Sequence, residues 1–315
     1  MPDTRNTKSY AIIGTGAIGG YCAVKLKKAG FDVHCLVNRD YEFVQKNGLT
    51  LIEENNPVTV SVKTYDDIKK MPKCDVVLIT LKSTANHILK NSLNHLLHKN
   101  SLVGIVQNGI GIEAEIAEFV EPEKIVGGSS ILKVTKISPG VIKHYGLYQF
   151  EWAQYYVDET RKEISVAAQN ISDDFKTVGL DSIAVPHLPT LRWKKLSGNI
   201  ATSGLSVALN AYQNELVRNP HSLELLKLIT KEVIAAAKHC GADIPEDFYD
   251  FRLKIFDTLR KMENNNSSMK DDFDAGNKME LHAIYENALA LAKKYGVSMP
   301  LTDMLYQQLL YLETK

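Results

Sequence analysis

Lys195, Asn199 and Ser203 sit four residues apart in the stretch RWKKLSGNIATS, residues 192–203. The run has the composition of a buried helix, and on a helix that spacing stacks the three side chains on one face. An amine, an amide and a hydroxyl aimed one way suit one kind of chemistry. The ammonium can give a proton to an oxygen and stabilise the negative charge that develops there. It also attracts an anion. The amide and the hydroxyl are neutral donors for a carboxylate or a hydroxyl, and they cost less to desolvate than a charge. Taken alone, Lys194 and Lys195 also read as a solvated charge pair beside a buried Trp193. Lys194 lies about 100° around the helix from Lys195 and is expected to face water.

A second pattern lies near the start, at Gly14-Thr15-Gly16-Ala17-Ile18-Gly19. It follows the short apolar run SYAIIG and opens a helical pattern, which is the context a dinucleotide-binding G-x-G-x-x-G needs. The first glycine permits the tight turn, the second lets a pyrophosphate approach the backbone, and the third lets helix and strand pack closely. The phosphate then rests on the free N–H groups of the helix start, at Ala17, Ile18 and Gly19. Without a ligand, the same glycines would serve a tight strand-to-helix turn.

Cofactor choice is read about 20 residues further on, at the end of the second strand. There the chain runs Leu36-Val37-Asn38-Arg39-Asp40, with no acid at the strand end itself. Asn38 and Arg39 suit a 2′-phosphate and favour NADP(H). Asp40 would reach the ribose if the register shifted by one or two residues. Ligands in an open α/β sheet bind outside the carboxyl ends of the strands. Lys82 directly follows CDVVLITL, and Gln107-Asn108-Gly109 follows SLVGIV. Lys82 is therefore expected at the cofactor ribose or phosphate, and Asn108 at the nicotinamide or the substrate. Each by itself also reads as an ordinary turn.

The elements that must hold these residues follow from the hydrophobic pattern. SYAIIG, DVHCLV, CDVVLITL and SLVGIV are continuous apolar runs separated by helix-like segments, the pattern of a parallel sheet covered on both faces. LTLIEE and VTVSVK, around Asn-Pro at 56–57, look like a strand pair. Residues 129–157 carry further short β-like stretches with a turn at Ser138-Pro139-Gly140. The two prolines of VPHLPT, 185–190, mark a linker. Beyond it the chain reads as almost all helix, with 223–241 and 279–296 each ending on glycine. ENNNSSM, 263–269, is a polar break. The fold class is α/β, with an N-terminal Rossmann-type dinucleotide-binding domain over 1–187 and an all-helical C-terminal domain over 188–315.

The 315 residues, 44% of them hydrophobic, suffice for two cores. Lys plus Arg, 37, equals Asp plus Glu, 37, so the basic excess of a nucleic-acid binder is missing. Four scattered cysteines show no paired ligand spacing and suit reduced thiols rather than disulfides or a metal site. No apolar signal core opens the chain, and no run approaches the ~18 apolar residues of a membrane span. A cytoplasmic protein with no nucleic acid and no membrane among its partners is expected.

Together these residues resemble the ketopantoate reductase family over nearly the whole chain. The resemblance rests on GTGAIGG, on LITLKS with Lys82, on QNGIG with Asn108, and on WKKL, NSSM, Asp272 and Glu280. The glycine motif is common to many folds, and the C-terminal set is far more specific. The resemblance implies NADPH-dependent reduction of 2-dehydropantoate to (R)-pantoate, in the route to pantothenate. It implies a site in the cleft between a Rossmann domain and a helical domain. By motif, the general-acid lysine falls on Lys195 and the carboxylate on Glu280, which would orient the lysine or bond a hydroxyl of substrate or ribose. Asn199, Asn265 and Ser268 fall at substrate-binding positions, and Lys82 and Asn108 near the cofactor.

Two positions depart from the family pattern. Ser203 stands where the family commonly has a second asparagine, which bears on the substrate. Asn38 aligns with an arginine the family often carries, leaving Arg39 one residue late, which bears on the NADPH preference. Reduction of a different 2-oxo acid and non-catalytic sensing of NADP(H) are the competing readings. The expected partner is a small 2-oxo acid. A homodimer is compatible with the helical domain, although no surface declares itself.

Overall fold

The structure, a computed structural model, describes residues 8–263 and 265–315. The polar segment before Lys8, and Asn264 within the break at 263–269, lie outside the described residues. The chain forms two compact units. One holds the chain up to Gln107 together with Glu113–Leu188. The other holds Asn108–Ile112 and Pro189–Lys315.

The first unit is built on one mixed sheet. Its strands are β1 (Ser9–Ile13), β2 (Asp32–Leu36), β3 (Leu49–Glu53), β4 (Asn56–Val60), β5 (Lys63–Tyr65), β6 (Val76–Ile79), β7 (Leu102–Ile105), β8 (Ile125–Ser138), β9 (Val141–Gln154) and β10 (Asp181–Ala184). The parallel strands lie in the order β5-β2-β1-β6-β7-β8. Counted along the chain as first to sixth, that order is 3-2-1-4-5-6, the dinucleotide-binding arrangement. It reverses between β1 and β6, so the ends of these two strands flank the switch point where such sheets bind ligands. Tyr10–Ile13 and Val76–Ile79 are fully buried, which is why both strands read as unbroken apolar runs.

The expected strand pair is β3 and β4, joined antiparallel with Leu51 opposite Val58. Residues 129–157 differ from expectation. In place of several short stretches, β8 and β9 are 14-residue strands of one antiparallel hairpin turning at Pro139-Gly140. Polar residues on their outer halves, together with register shifts near Leu132 and Lys136, break up the alternation and make each strand look shorter. Helices α1 (Ala17–Lys28), α2 (Tyr41–Asn47), α3 (Ile112–Ala117) and α4 (Val166–Thr177) connect the strands.

The second unit is helical, with α5 (Leu188–Ala208), α6 (Gln213–Arg218), α7 (Pro220–His239), α8 (Phe248–Lys261), α9 (Ser268–Asp274), α10 (Asn287–Lys294) and α11 (Pro300–Glu313). Trp193, Leu196, Ile200 and Leu205 of α5 enter a core shared with α7 and α11. The run 279–296, expected as one α-helix, contains a π-helical turn over His282–Glu286 before α10. Side-chain periodicity hardly distinguishes the two registers, so the sequence does not announce it. No helix among the described residues is long and apolar enough to cross a membrane.

Candidate active site

The three glycines of the motif have different reasons to be glycine. Gly14 has φ 103°, and a Cβ there would lie 2.5 Å from the Leu81 backbone nitrogen. A Cβ on Gly19 would lie 2.2 Å from the Gly14 carbonyl oxygen and 2.4 Å from Thr80 Oγ1. The fold itself requires both. Gly16 is exposed, has φ −84°, and a Cβ there would meet nothing within 4 Å. Neither backbone strain nor packing demands glycine at that position. It leaves open space beside the start of α1.

Two side-chain hydrogen bonds hold the loop. Thr15 Oγ1 donates to the Leu36 carbonyl at 2.8 Å, and Thr80 Oγ1 donates to the Gly14 carbonyl at 2.7 Å. No side chain caps α1, and its first turn carries no acid. The positive end of the helix dipole therefore carries free N–H groups and no carboxylate from its own first turn. Gln107, given no role from the sequence, donates from Nε2 to the Leu81 carbonyl at 2.9 Å and to Asn86 Oδ1 at 2.7 Å. It ties the end of β7 to the turn bearing Lys82, which is exposed.

At the end of β2, Asn38 and Arg39 are exposed. Asp40 is not available to a ribose in the same way. Its carboxylate pairs with Lys136 Nζ at 2.8 Å and accepts the Gly140 N–H at 3.2 Å. The acid that blurred cofactor choice in the sequence is engaged by the β8–β9 hairpin.

In the second unit, α5 carries Lys195, Asn199 and Ser203 as expected. Lys195 and Asn199 are half-buried and Ser203 is buried. Lys194 corrects the expectation of a solvated side chain. It is half-buried, with Nζ 5.9 Å from the centre of the Phe248 ring. Glu280 is buried just before the π-helical turn. That turn packs on α5 through Tyr285, whose hydroxyl donates to the Ile200 carbonyl at 2.8 Å. A Cβ on Gly204 would lie 2.2 Å from the same hydroxyl. Burial pushes the Tyr285 hydroxyl well above its ordinary pKa, so it stays a donor.

The loop after Asn108 joins the same assembly. Gly109 has φ 115°, and a Cβ there would lie 2.5 Å from the Ala283 carbonyl oxygen. The Ile110 N–H donates to that carbonyl at 2.9 Å, and Asn287 Nδ2 donates to the Ile110 carbonyl at 2.8 Å. Segments bearing Lys195, Glu280 and Asn108, separated by up to 172 residues in sequence (280 minus 108), thus interlock around the turn at 282–286. The NSSM stretch is split. Asn265 donates to Gln213 Oε1 at 2.9 Å, Ser267 caps α9 by accepting the Lys270 N–H, and Ser268 is exposed in the first turn.

Residues 10–156 match the family described as ketopantoate reductase PanE/ApbA, and residues 188–313 match its C-terminal family. A 2-dehydropantoate 2-reductase of Nostoc sp. is 40% identical over 309 residues, covering 98% of this chain and 96% of its own. A 2-dehydropantoate 2-reductase of Geobacter metallireducens superposes with TM-score 0.90 at 29% identity, over 96% of this chain and 99% of its own. A D-mandelate dehydrogenase solved with NADH and anilino(oxo)acetate shares the fold, with TM-score 0.87 at 20% identity over 97% and 98% of the two chains.

Proposed function

The chain belongs to the ketopantoate reductase family of oxidoreductases, and on that premise we propose that it reduces 2-dehydropantoate to (R)-pantoate with NADPH. The observation that carries this reading is the interlocking of the α5, Glu280 and Asn108 segments around one π-helical turn. It brings the segments bearing Lys195, Glu280 and Asn108 into one folded unit, which supports their acting together.

The Gly14–Gly19 loop fits a dinucleotide, because Gly16 leaves open space above an uncapped helix start. Ala17, Ile18 and Gly19 would bind the pyrophosphate through their N–H groups, Lys82 the ribose or phosphate, and Asn108 the nicotinamide end. Bound NADPH supplies the hydride. Lys195 gives a proton to the carbonyl oxygen and stabilises its developing charge. Glu280 orients the ammonium or holds a hydroxyl. Asn199, Ser203, Asn265 and Ser268 offer hydrogen bonds to the carboxylate and hydroxyl groups. One amide donor of Asn265 is already committed to Gln213.

NADP(H) is favoured because Asp40 is engaged by Lys136, while Asn38 and Arg39 stay exposed. Arg39→Ala is expected to lower the preference for NADPH over NADH about tenfold or more, the effect of losing a hydrogen bond to a charged phosphate. An unchanged ratio of kcat/KM for the two cofactors would remove Arg39 from that role. The four cysteines are free and buried, and burial pushes the Cys22 and Cys35 thiols up to about 12. None is poised as a nucleophile or a disulfide partner, which suits the reducing cytoplasm.

Ser203 supports a second reading, reduction of another 2-oxo acid, because a short buried hydroxyl replaces a longer amide. NADPH oxidation by the purified protein separates the two. 2-Dehydropantoate is compared with pyruvate, 2-oxoisovalerate and 2-oxoglutarate. Turnover confined to 2-dehydropantoate upholds the first reading. Faster turnover on one of the others assigns the enzyme to that acid.

A further inference from the structure

We propose that Arg252 is the anchor for the carboxylate of the 2-oxo acid, seated against α5 at Gly198; this rests on the assignment of α5 as the substrate helix. A Cβ on Gly198 would lie 2.3 Å from Arg252 Nη2, 2.7 Å from Cζ and 2.9 Å from Nη1. The guanidinium therefore occupies the space of the missing side chain. Gly198 lies inside a helix and outside the left-handed region, so its backbone does not need glycine. A helix-interior glycine is destabilising relative to alanine, and its compensation here is the approach of a cation.

That cation has no carboxylate partner among the described residues. Arg252 makes no ion pair and no hydrogen bond with a described residue, and its Nε is enclosed without an acceptor. Among the described residues, the Phe256 ring lies 5.8 Å from its Cζ. Burial lowers its pKa to about 10, well under the usual value above 12. A half-buried guanidinium with no carboxylate beside it is open to an anionic ligand, which would pair with its planar fork.

Its position matches the reaction. Gly198 follows Lys195 by three residues, about 60° around the helix and about 4.5 Å along its axis. It flanks the Lys195–Asn199 stripe. In a 2-oxo acid the carboxylate carbon is bonded to the carbonyl carbon, so a second cation seated on the helix beside Lys195 would meet the carboxylate while Lys195 meets the carbonyl oxygen. The planar fork of a guanidinium matches a carboxylate in two parallel hydrogen bonds.

The test measures binding of pantoate and of its neutral lactone, with steady-state kinetics on 2-dehydropantoate, for wild type, Arg252→Gln and Arg252→Lys. Arg252→Gln is expected to weaken pantoate about 30-fold or more while leaving the lactone and NADPH affinities unchanged. The kinetic loss falls on KM more than on kcat, because the carboxylate is held alike before and at the transition state. Arg252→Lys recovers part of it. Pantoate binding within about threefold of wild type overturns the proposal. So does an equal loss of pantoate, lactone and NADPH, which marks a structural role. Gly198→Ala displaces the guanidinium without deleting it, and raises KM in the same sense should Arg252→Gln fail to fold. If the wild type reduces a different 2-oxo acid, the same comparison is made with that acid. Loss of carboxylate discrimination then upholds Arg252 even though 2-dehydropantoate is not the substrate.

Discussion

Lys195→Ala lowers turnover of 2-dehydropantoate by about 10²–10⁴-fold, the usual contribution of a positioned general acid, or roughly 3–5 kcal/mol. NADPH affinity is expected to stay near the wild-type value, because the dinucleotide loop lies in the other folded unit. Lys194→Ala is the matched control. Its ammonium lies over the Phe248 ring, a contact worth about 0.5–2 kcal/mol in stability and unconnected with proton transfer. Turnover is therefore expected to survive in Lys194→Ala and to fail in Lys195→Ala. Equal turnover in the two variants would remove Lys195 from the proton-donating role.

Gly16→Ala and Gly19→Ala are expected to fail in opposite ways. A methyl group at Gly16 meets nothing in the protein and needs no unusual φ. Stability should change by no more than about 0.5 kcal/mol, as for an ordinary surface substitution. On the proposed cofactor placement the methyl group would stand where the pyrophosphate approaches, so NADPH affinity should fall about 10- to 100-fold, the 1–3 kcal/mol of an overpacked contact. At Gly19 the methyl group would meet the Gly14 carbonyl and Thr80. Stability should fall by about 1–3 kcal/mol or more, with cofactor affinity following as the loop distorts. Thermal melting and a fluorescence titration with NADPH measure both quantities. A Gly16→Ala protein that melts normally and binds NADPH normally would refute the assignment of the open space to a ligand.

The legible parts of this protein were those with a local physical signature. Fully buried strands wrote themselves as unbroken apolar runs at β1 and β6. The glycine spacing marked the turn after β1, and the i, i+4, i+8 spacing put Lys195, Asn199 and Ser203 on one side of α5. Glycines after α7 and α10 marked their ends, as Gly241 and Gly296 at φ 83° and 73° attest. The long β8–β9 hairpin was less legible, because its exposed outer half carries polar residues on both faces.

Sequence by itself determined the class of fold, the glycine-rich turn after β1 and the helix that carries Lys195, since each depends on residues near one another in the chain. Tertiary structure alone decided the rest. Asp40 was a plausible ribose ligand until Lys136, 96 residues away, was found holding it. Gly16 and Gly19 look alike in the motif, and only their surroundings separate a glycine that faces open space from one needed by the fold. Gly198 gave no local sign of its purpose, because the guanidinium that fills its place comes from Arg252 on another helix. The π-helical turn that locks Asn108 and Glu280 to α5 leaves almost no trace in periodicity. Partnership across the chain is a property of packing, and no local pattern encodes which distant group will fill a gap or neutralise a charge.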